Sequence, residues 1–143
     1  MTRLFLPILV LHVVIAVLGL GSILSVALVA AATRKAGPGA VHVSVALAPL
    51  LRLSAICLGA MFVTGILMDA SVAGAFHGQW WFRGSAVLLV LTGALNGQAR
   101  RVVRRGLGPD AGGEAAVRGV ERLAYGMSAL IAVIAALMEV KPF

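Results

Sequence analysis

Hydrophobic residues in this chain form long, nearly unbroken runs, unlike the alternation of a half-buried strand or the single apolar face of a soluble helix. The first run extends from about residue 4 to residue 32 and ends where two bases precede Gly-Pro-Gly. A bilayer has a hydrocarbon core of about 30 Å, which a helix crosses in about 20 apolar residues. The pattern predicts an all-α integral membrane bundle of four transmembrane helices, at about 4–32, 51–70, 81–99 and 123–140.

The second and third spans are less sharply bounded than the first and fourth. A charge at the centre of a bilayer costs at least about 2.5–3.5 kcal/mol, so Arg52 is expected at an interface. Residues 41–50 then form either a helical extension or an interfacial segment. The third span has the shortest apolar run, with Asn96 near its end. Trp80 and Trp81 come just before it and suit the headgroup layer.

Composition supports lipid as the solvent of this chain. Of its 143 residues, 61% are hydrophobic and 12% are charged, and the mean hydropathy is +1.04. Soluble domains are about 45–50% apolar and about 25% charged. A chain this short has too much surface to hide such an excess, so we expect a single transmembrane domain over residues 1–143, in contact with the lipid bilayer.

The basic residues are distributed unequally between the two sides of such a bundle. Four spans place both termini on one side, together with three of the twelve bases, and leave nine on the other. The positive-inside rule then predicts a bacterial inner membrane protein with periplasmic termini and with cytoplasmic loops at 33–50 and 100–122. Since this topology accounts for the net charge of +7, we expect no nucleic-acid partner. The nine bases are Arg34, Lys35, Arg52, Arg100, Arg101, Arg104, Arg105, Arg118 and Arg122.

Small residues recur at helical spacing and are candidates for contacts between helices. Gly93 and Gly97 lie four residues apart, as do Ala55 and Gly59. In lipid, helices associate through close backbone contact rather than through a hydrophobic drive. Packing within the bundle accounts for these pairs, and a homodimer through Gly93 and Gly97, or contact with other membrane subunits, is the alternative.

His12 is the polar residue that stands out in the first span. It shares a helical face with Ala16 and Gly19, which predicts that this face looks into the bundle. The second helix carries several soft donor atoms roughly on one face, and Met61 is expected near the level of His12. Imidazole, thioether and thiolate are ligands of Cu(I), and imidazole and thioether also ligate haem iron. The sequence therefore predicts a copper or haem b site near the outer side, with His12 and Met61 binding the cofactor and with His12, Met61, Met68 and Cys57 as metal ligands.

Other roles for these residues stay open. Methionine at helical spacing often only fills a core, and a lone intramembrane histidine often only bonds a neighbouring helix. Proton or quinone chemistry at His12 is a further alternative. Asp69 and Glu139 flank the same rim, with His77 on the loop above, and both carboxylates also suit the interface. His42 lies at the opposite end, so a second histidine at the level of His12 is not expected.

Enzymatic signatures do not emerge from the sequence. It contains no serine–histidine–acid set, no paired carboxylate site and no metalloprotease helix motif, so hydrolysis is not expected. The expected role is that of a small non-catalytic membrane protein, acting alone or as an accessory subunit of a membrane complex.

Three short motifs carry a family resemblance: residues 11–22, Leu-His at the start of a glycine-containing run, the tryptophan pair before the third span, and residues 138–142, Met-Glu-Val-Lys-Pro. With them the chain resembles small bacterial four-helix families of predicted integral membrane proteins and the transmembrane part of the copper-resistance protein D family. It also resembles HemJ-type protoporphyrinogen oxidases, which implies haem b with His12 as its ligand. That family also uses a lysine inside a later helix, whereas Lys35 and Lys141 lie at helix ends here.

Overall fold

The computed structural model describes residues 3–37, 45–106 and 113–140, and the regular secondary structure of these residues is helical throughout. Four helices follow one another: α1 (Phe5–Ala36), α2 (Leu47–Ser71), α3 (Trp80–Gly106) and α4 (Gly113–Val140). The predicted all-α class and the number of helices are therefore confirmed.

Three of the four helices are long and apolar enough to cross a membrane. The most apolar windows of α1, α2 and α4 have mean hydropathies of 2.7, 2.0 and 2.0. The 27-residue helix α3 has sufficient length but is not among these three. Arg83 stands in its first turns and four arginines occupy its last turns, which lowers its average. A membrane crossing by residues 81–99 stays a prediction.

The helices extend further at one end of the bundle than the sequence indicated. The expected loop 100–122 is wrong over most of its length, because α3 continues to Gly106 and α4 begins at Gly113. Arginine and glutamate are good helix formers, and Arg34 of α1 holds Glu121 of α4 at 2.7 Å. Residues 47–50 belong to α2, as the helical-extension alternative proposed. Residues 38–44, which include His42, and residues 107–112 and 141–143 lie outside the described residues.

The four helices form a ring in which each packs beside its two neighbours in sequence and α4 closes on α1. Neighbouring helices run antiparallel, since His12 of α1 meets Thr64 of α2 while Gly19 meets Cys57. One end of the bundle, here called the basic end, holds the end of α1, the start of α2, the end of α3 and the start of α4. The opposite end, here called the tryptophan end, holds the loop between α2 and α3.

The packed core lies in the half of the bundle towards the basic end. In α1 the buried residues begin only at Gly19 and continue to Thr33. They meet buried side chains from the first half of α2, the last part of α3 and the first half of α4. Fully buried members of this core are Ile23, Val26, Ala30, Leu47, Leu51, Ala99, Ala124 and Met127. The half towards the tryptophan end is packed less densely, which leaves room for a cavity there.

The small residues at helical spacing do not make the contacts between helices that the sequence predicts. A Cβ added at Gly93, Gly97 or Gly59 would meet nothing within 4 Å, so packing inside the bundle does not explain these glycines. Gly19 makes the close contact instead, since a Cβ there would lie 3.1 Å from the Cβ of Cys57. Between α2 and α3 the buried Asn96 amide donates a hydrogen bond to the Ser54 hydroxyl.

Candidate functional site

His12 faces the bundle, as its helical face predicted, and its ring is fixed by a hydrogen bond to α2. The Nδ1 atom lies 2.6 Å from Thr64 Oγ1, and that hydroxyl lies 2.8 Å from the carbonyl oxygen of Ala60. A threonine hydroxyl has one hydrogen. If it is donated to Ala60, the hydroxyl accepts from Nδ1–H, and Nε2 keeps a free lone pair. A neutral imidazole with a fixed ring and a free Nε2 can ligate a metal or accept a proton.

A cavity of about 170 Å³ lies beside this histidine and has walls from all four helices. Its lining is almost entirely apolar, with His12 and the hydroxyl-bearing Ser85 as the polar exceptions. Two methionines, Met61 and Met138, also line it. The lining residues are His12 of α1, Met61, Phe62, Gly65 and Ile66 of α2, Phe82, Ser85, Ala86 and Leu89 of α3, and Ile134 and Met138 of α4.

Ser85 is the unusual polar group of this cavity. Its side chain is 2% exposed, and its Oγ has no hydrogen-bond partner within residues 3–37, 45–106 and 113–140. A serine in a helix normally bonds the carbonyl one turn earlier, as Ser128 does to Ala124 at 2.9 Å. A buried hydroxyl without a partner costs about 1–3 kcal/mol. Such a group in a cavity wall is explained if a bound molecule supplies the missing acceptor or donor.

The residues predicted as ligands from the sequence do not all reach this cavity. His12 and Met61 do, while Cys57 and Met68 are outside its lining. Cys57 packs against Gly19, and it stands seven residues, or about 10 Å of helix, from Thr64. Within the described residues, no three histidine, cysteine, aspartate or glutamate side chains group together as a metal site.

Two further cavity residues are not among the ligands predicted from the sequence. Met138 of α4 lines the same cavity as His12 and Met61. Ser85 gave no signal at all, because serines are common in membrane helices and most bond their own backbone. Only its missing partner in the folded bundle distinguishes it.

A short ordered loop closes the tryptophan end above the cavity. Asp69 Oδ1 accepts the backbone N–H groups of Phe76 at 2.7 Å and His77 at 3.1 Å, and Arg83 Nε donates to the His77 carbonyl at 2.7 Å. Gly74 has a φ of +77°, which the turn requires and which other residues rarely adopt. Asp69 therefore holds the loop, and an interfacial position for it stays a prediction.

Aromatic rings join this loop to the cavity. Phe76 packs on Trp81 with ring centroids 5.6 Å apart, and Trp81 meets Phe82 edge-on at 6.0 Å. Phe82 in turn lines the cavity, so the ordered loop and the cavity wall form one continuous packing unit.

No protein-family model, no curated protein and no solved structure matches this chain. The resemblances to the copper-resistance protein D family and to HemJ-type oxidases stay predictions from short motifs.

Proposed function

We propose that this chain is a small multi-pass membrane protein that binds the ring of a quinol from within the membrane, in the cavity beside His12. The observation that carries the proposal is that an oriented imidazole and an unpaired serine hydroxyl line one small apolar cavity. His12 is on α1 and Ser85 on α3, which are diagonal helices of the ring, so a ligand between them would be held from opposite sides.

The size and chemistry of the cavity suit a single six-membered ring. A protein cavity of about 150 Å³ lined by aliphatic and aromatic side chains is known to bind benzene, and this one measures about 170 Å³. A quinol has a hydroxyl group at each end of its ring. One can donate to His12 Nε2, and the oxygen of the other can accept from Ser85. The oxidised quinone has only acceptors, so the site should prefer the quinol.

Calorimetric titration of the purified protein in detergent tests this proposal, with a short-chain ubiquinol and the matching ubiquinone as probes. His12→Ala and Ser85→Ala should each weaken quinol binding about fivefold, since one hydrogen bond contributes about 1 kcal/mol. Cys57→Ala is the control, because Cys57 is buried but lies outside the cavity lining. Quinol affinity that is unchanged in the double variant His12→Ala/Ser85→Ala would refute the proposal.

Copper(I) binding is the second candidate, and one specific observation favours it. His12, Met61 and Met138 come from three helices and line the same cavity, and imidazole with thioether is a suitable ligand set for Cu(I). Competition with a Cu(I)-specific chelator should show weaker binding for Met61→Leu and Met138→Leu. Met127→Leu is the matched control on α4, because Met127 is fully buried in the core away from the cavity. Equal Cu(I) affinity in all three variants would exclude this site.

Haem b would need more room than this cavity offers. A porphyrin has four pyrrole rings, while about 170 Å³ accommodates roughly one aromatic ring. Haem ligation by His12, as the HemJ resemblance implies, would therefore require the helices to move apart or the macrocycle to extend into lipid. A Soret band in the purified protein that is lost in His12→Ala would support haem over the quinol proposal.

The proposed setting is the bacterial inner membrane, with periplasmic termini and the basic end in the cytoplasm. Three helices of sufficient length and apolarity and nine bases at one side support it. The chain would act alone or as an accessory subunit. Other membrane subunits that co-purify with the full chain in mild detergent, and are lost in harsher detergent, would favour the accessory role.

A further inference from the structure

A groove on the lipid-facing side of α2 and α3 has the form of a site for one phospholipid. It starts between Arg52 and Arg100 at the basic end, where an open space of about 310 Å³ also touches Ala55 and Ile56. A second space of about 270 Å³ shares Ala55 and continues past Gly59 and Gly93. The groove exists because α2 and α3 have the smallest contact of the four neighbouring helix pairs.

Three small residues, Ala55, Gly59 and Gly93, stand among the larger side chains that line the groove. A Cβ added to Gly59 or Gly93 would meet no atom within 4 Å, so both backbones are open to whatever fills the groove. Phe62 lies at its far end, and the same side chain also lines the His12 cavity and a further surface space beside Val87. From Arg52 to Phe62 is ten residues, or about 15 Å of helix. That is half of a hydrocarbon core of about 30 Å, the depth of one leaflet.

The head of the groove carries two positive charges that the protein leaves unpaired. Arg52 and Arg100 make no ion pair and no hydrogen bond within the described ranges 3–37, 45–106 and 113–140, whereas Arg34 and Arg118 each face a glutamate. Basic pockets between membrane helices attract anionic lipid headgroups. Two guanidinium groups at the mouth of a leaflet-deep apolar groove complement a phosphate attached to an acyl chain.

We propose that this groove binds an anionic phospholipid, with its headgroup phosphate between Arg52 and Arg100 and one acyl chain along Gly59 and Gly93. The inference rests on the proposed membrane location, but not on a ligand in the His12 cavity, which is closer to the opposite end. The other conceivable occupant, a second copy of the chain packed through Gly93, makes no use of the two arginines.

Lipid selectivity in reconstituted vesicles tests the proposal. The full chain is inserted in phosphatidylcholine vesicles that contain trace spin-labelled phosphatidylglycerol or spin-labelled phosphatidylcholine, and the two association constants are compared. Arg52→Gln and Arg100→Gln should each reduce the preference for phosphatidylglycerol about fivefold, which corresponds to about 1 kcal/mol per base near the surface. The control Arg118→Gln/Arg122→Gln removes the same charge from exposed positions on α4 and should keep the preference.

Filling the groove provides the second test. Gly93→Leu should weaken phosphatidylglycerol association while both arginines remain, and Ala94→Leu is its control, since Ala94 is exposed on α3 but lines neither part of the groove. The proposal is overturned if the Arg52→Gln/Arg100→Gln variant keeps its preference, or if both arginine pairs lose it equally. A second copy of the chain is tested by chemical cross-linking in vesicles of phosphatidylcholine alone. The proposal is also overturned if the natural chain forms cross-linked dimers there that Gly93→Leu abolishes, while the preference for phosphatidylglycerol is unchanged. Flotation with the vesicles checks independently that each variant is inserted in the membrane. The quinol titration tests the His12 cavity separately, so the groove and the cavity can fail independently.

Discussion

Two buried serines offer the sharpest test of the site, because the same substitution should have different effects at each. Ser54 is fully buried, and its hydroxyl donates to the Leu51 carbonyl at 3.1 Å while it accepts from the Asn96 amide. Ser85 is equally well buried but has no hydrogen-bond partner among the residues that the structure describes. Alanine at either position removes one oxygen atom and little volume. The comparison therefore isolates the hydrogen bonding.

The expected magnitudes follow from what each substitution leaves behind. Ser54→Ala leaves the Asn96 amide buried and unpaired, since Asn96 is only 1% exposed. An unsatisfied buried donor costs about 1–3 kcal/mol, and hydrogen bonds between membrane helices average about 0.6 kcal/mol with a maximum near 1.7. We expect Ser54→Ala to lower the free energy of unfolding by about 1–2 kcal/mol. Ser85→Ala removes an unpaired hydroxyl, so stability without ligand should be unchanged or higher by up to about 1 kcal/mol.

Equilibrium unfolding in mixed detergent micelles, followed by tryptophan fluorescence, measures both variants against the natural sequence. Added short-chain ubiquinol should then stabilise the natural protein and Ser54→Ala more than Ser85→Ala, because ligand that binds only the folded state raises its stability. The reasoning fails if Ser85→Ala loses as much stability as Ser54→Ala. That result would mean that the Ser85 hydroxyl is satisfied inside the folded protein.

Three further predictions concern the bundle around the site. Gly19→Ala should lower the free energy of unfolding by about 1–3 kcal/mol, because its Cβ would press on Cys57 at 3.1 Å, whereas Gly21→Ala, with nothing within 4 Å, should not. Asp69→Ala should speed amide hydrogen exchange at its two loop partners, and Asp69→Asn, which keeps an acceptor oxygen, should preserve most of the protection. Alkaline phosphatase fused after Phe143 should be active and a green fluorescent protein fused there dark; the reverse would contradict the periplasmic terminus.

Helix number and approximate position were predictable because they depend on local properties of the chain. A run of about 20 apolar residues is the minimum that crosses a bilayer core, and every backbone group within it must be bonded internally, which favours a helix. The inward orientation of His12 also followed from its small neighbours on one face, and it is confirmed by the bond to Thr64. The length of the basic-end helices does not follow from composition, because glycine and charge there also suit a loop, whereas in the fold Glu121 of α4 pairs with Arg34 of α1.

By itself the sequence determined an all-helical chain, the approximate places of its four helices and the histidine worth attention, because these depend on run length and on residues within a few turns of each other. Only the tertiary structure decided that Met138 and Ser85 line one cavity with Met61 and His12, and that Gly93 faces outward. Those results depend on how four helices cross and where they separate. A residue's partner across the bundle depends on the geometry of the whole assembly, and the spacing along any single helix does not encode it.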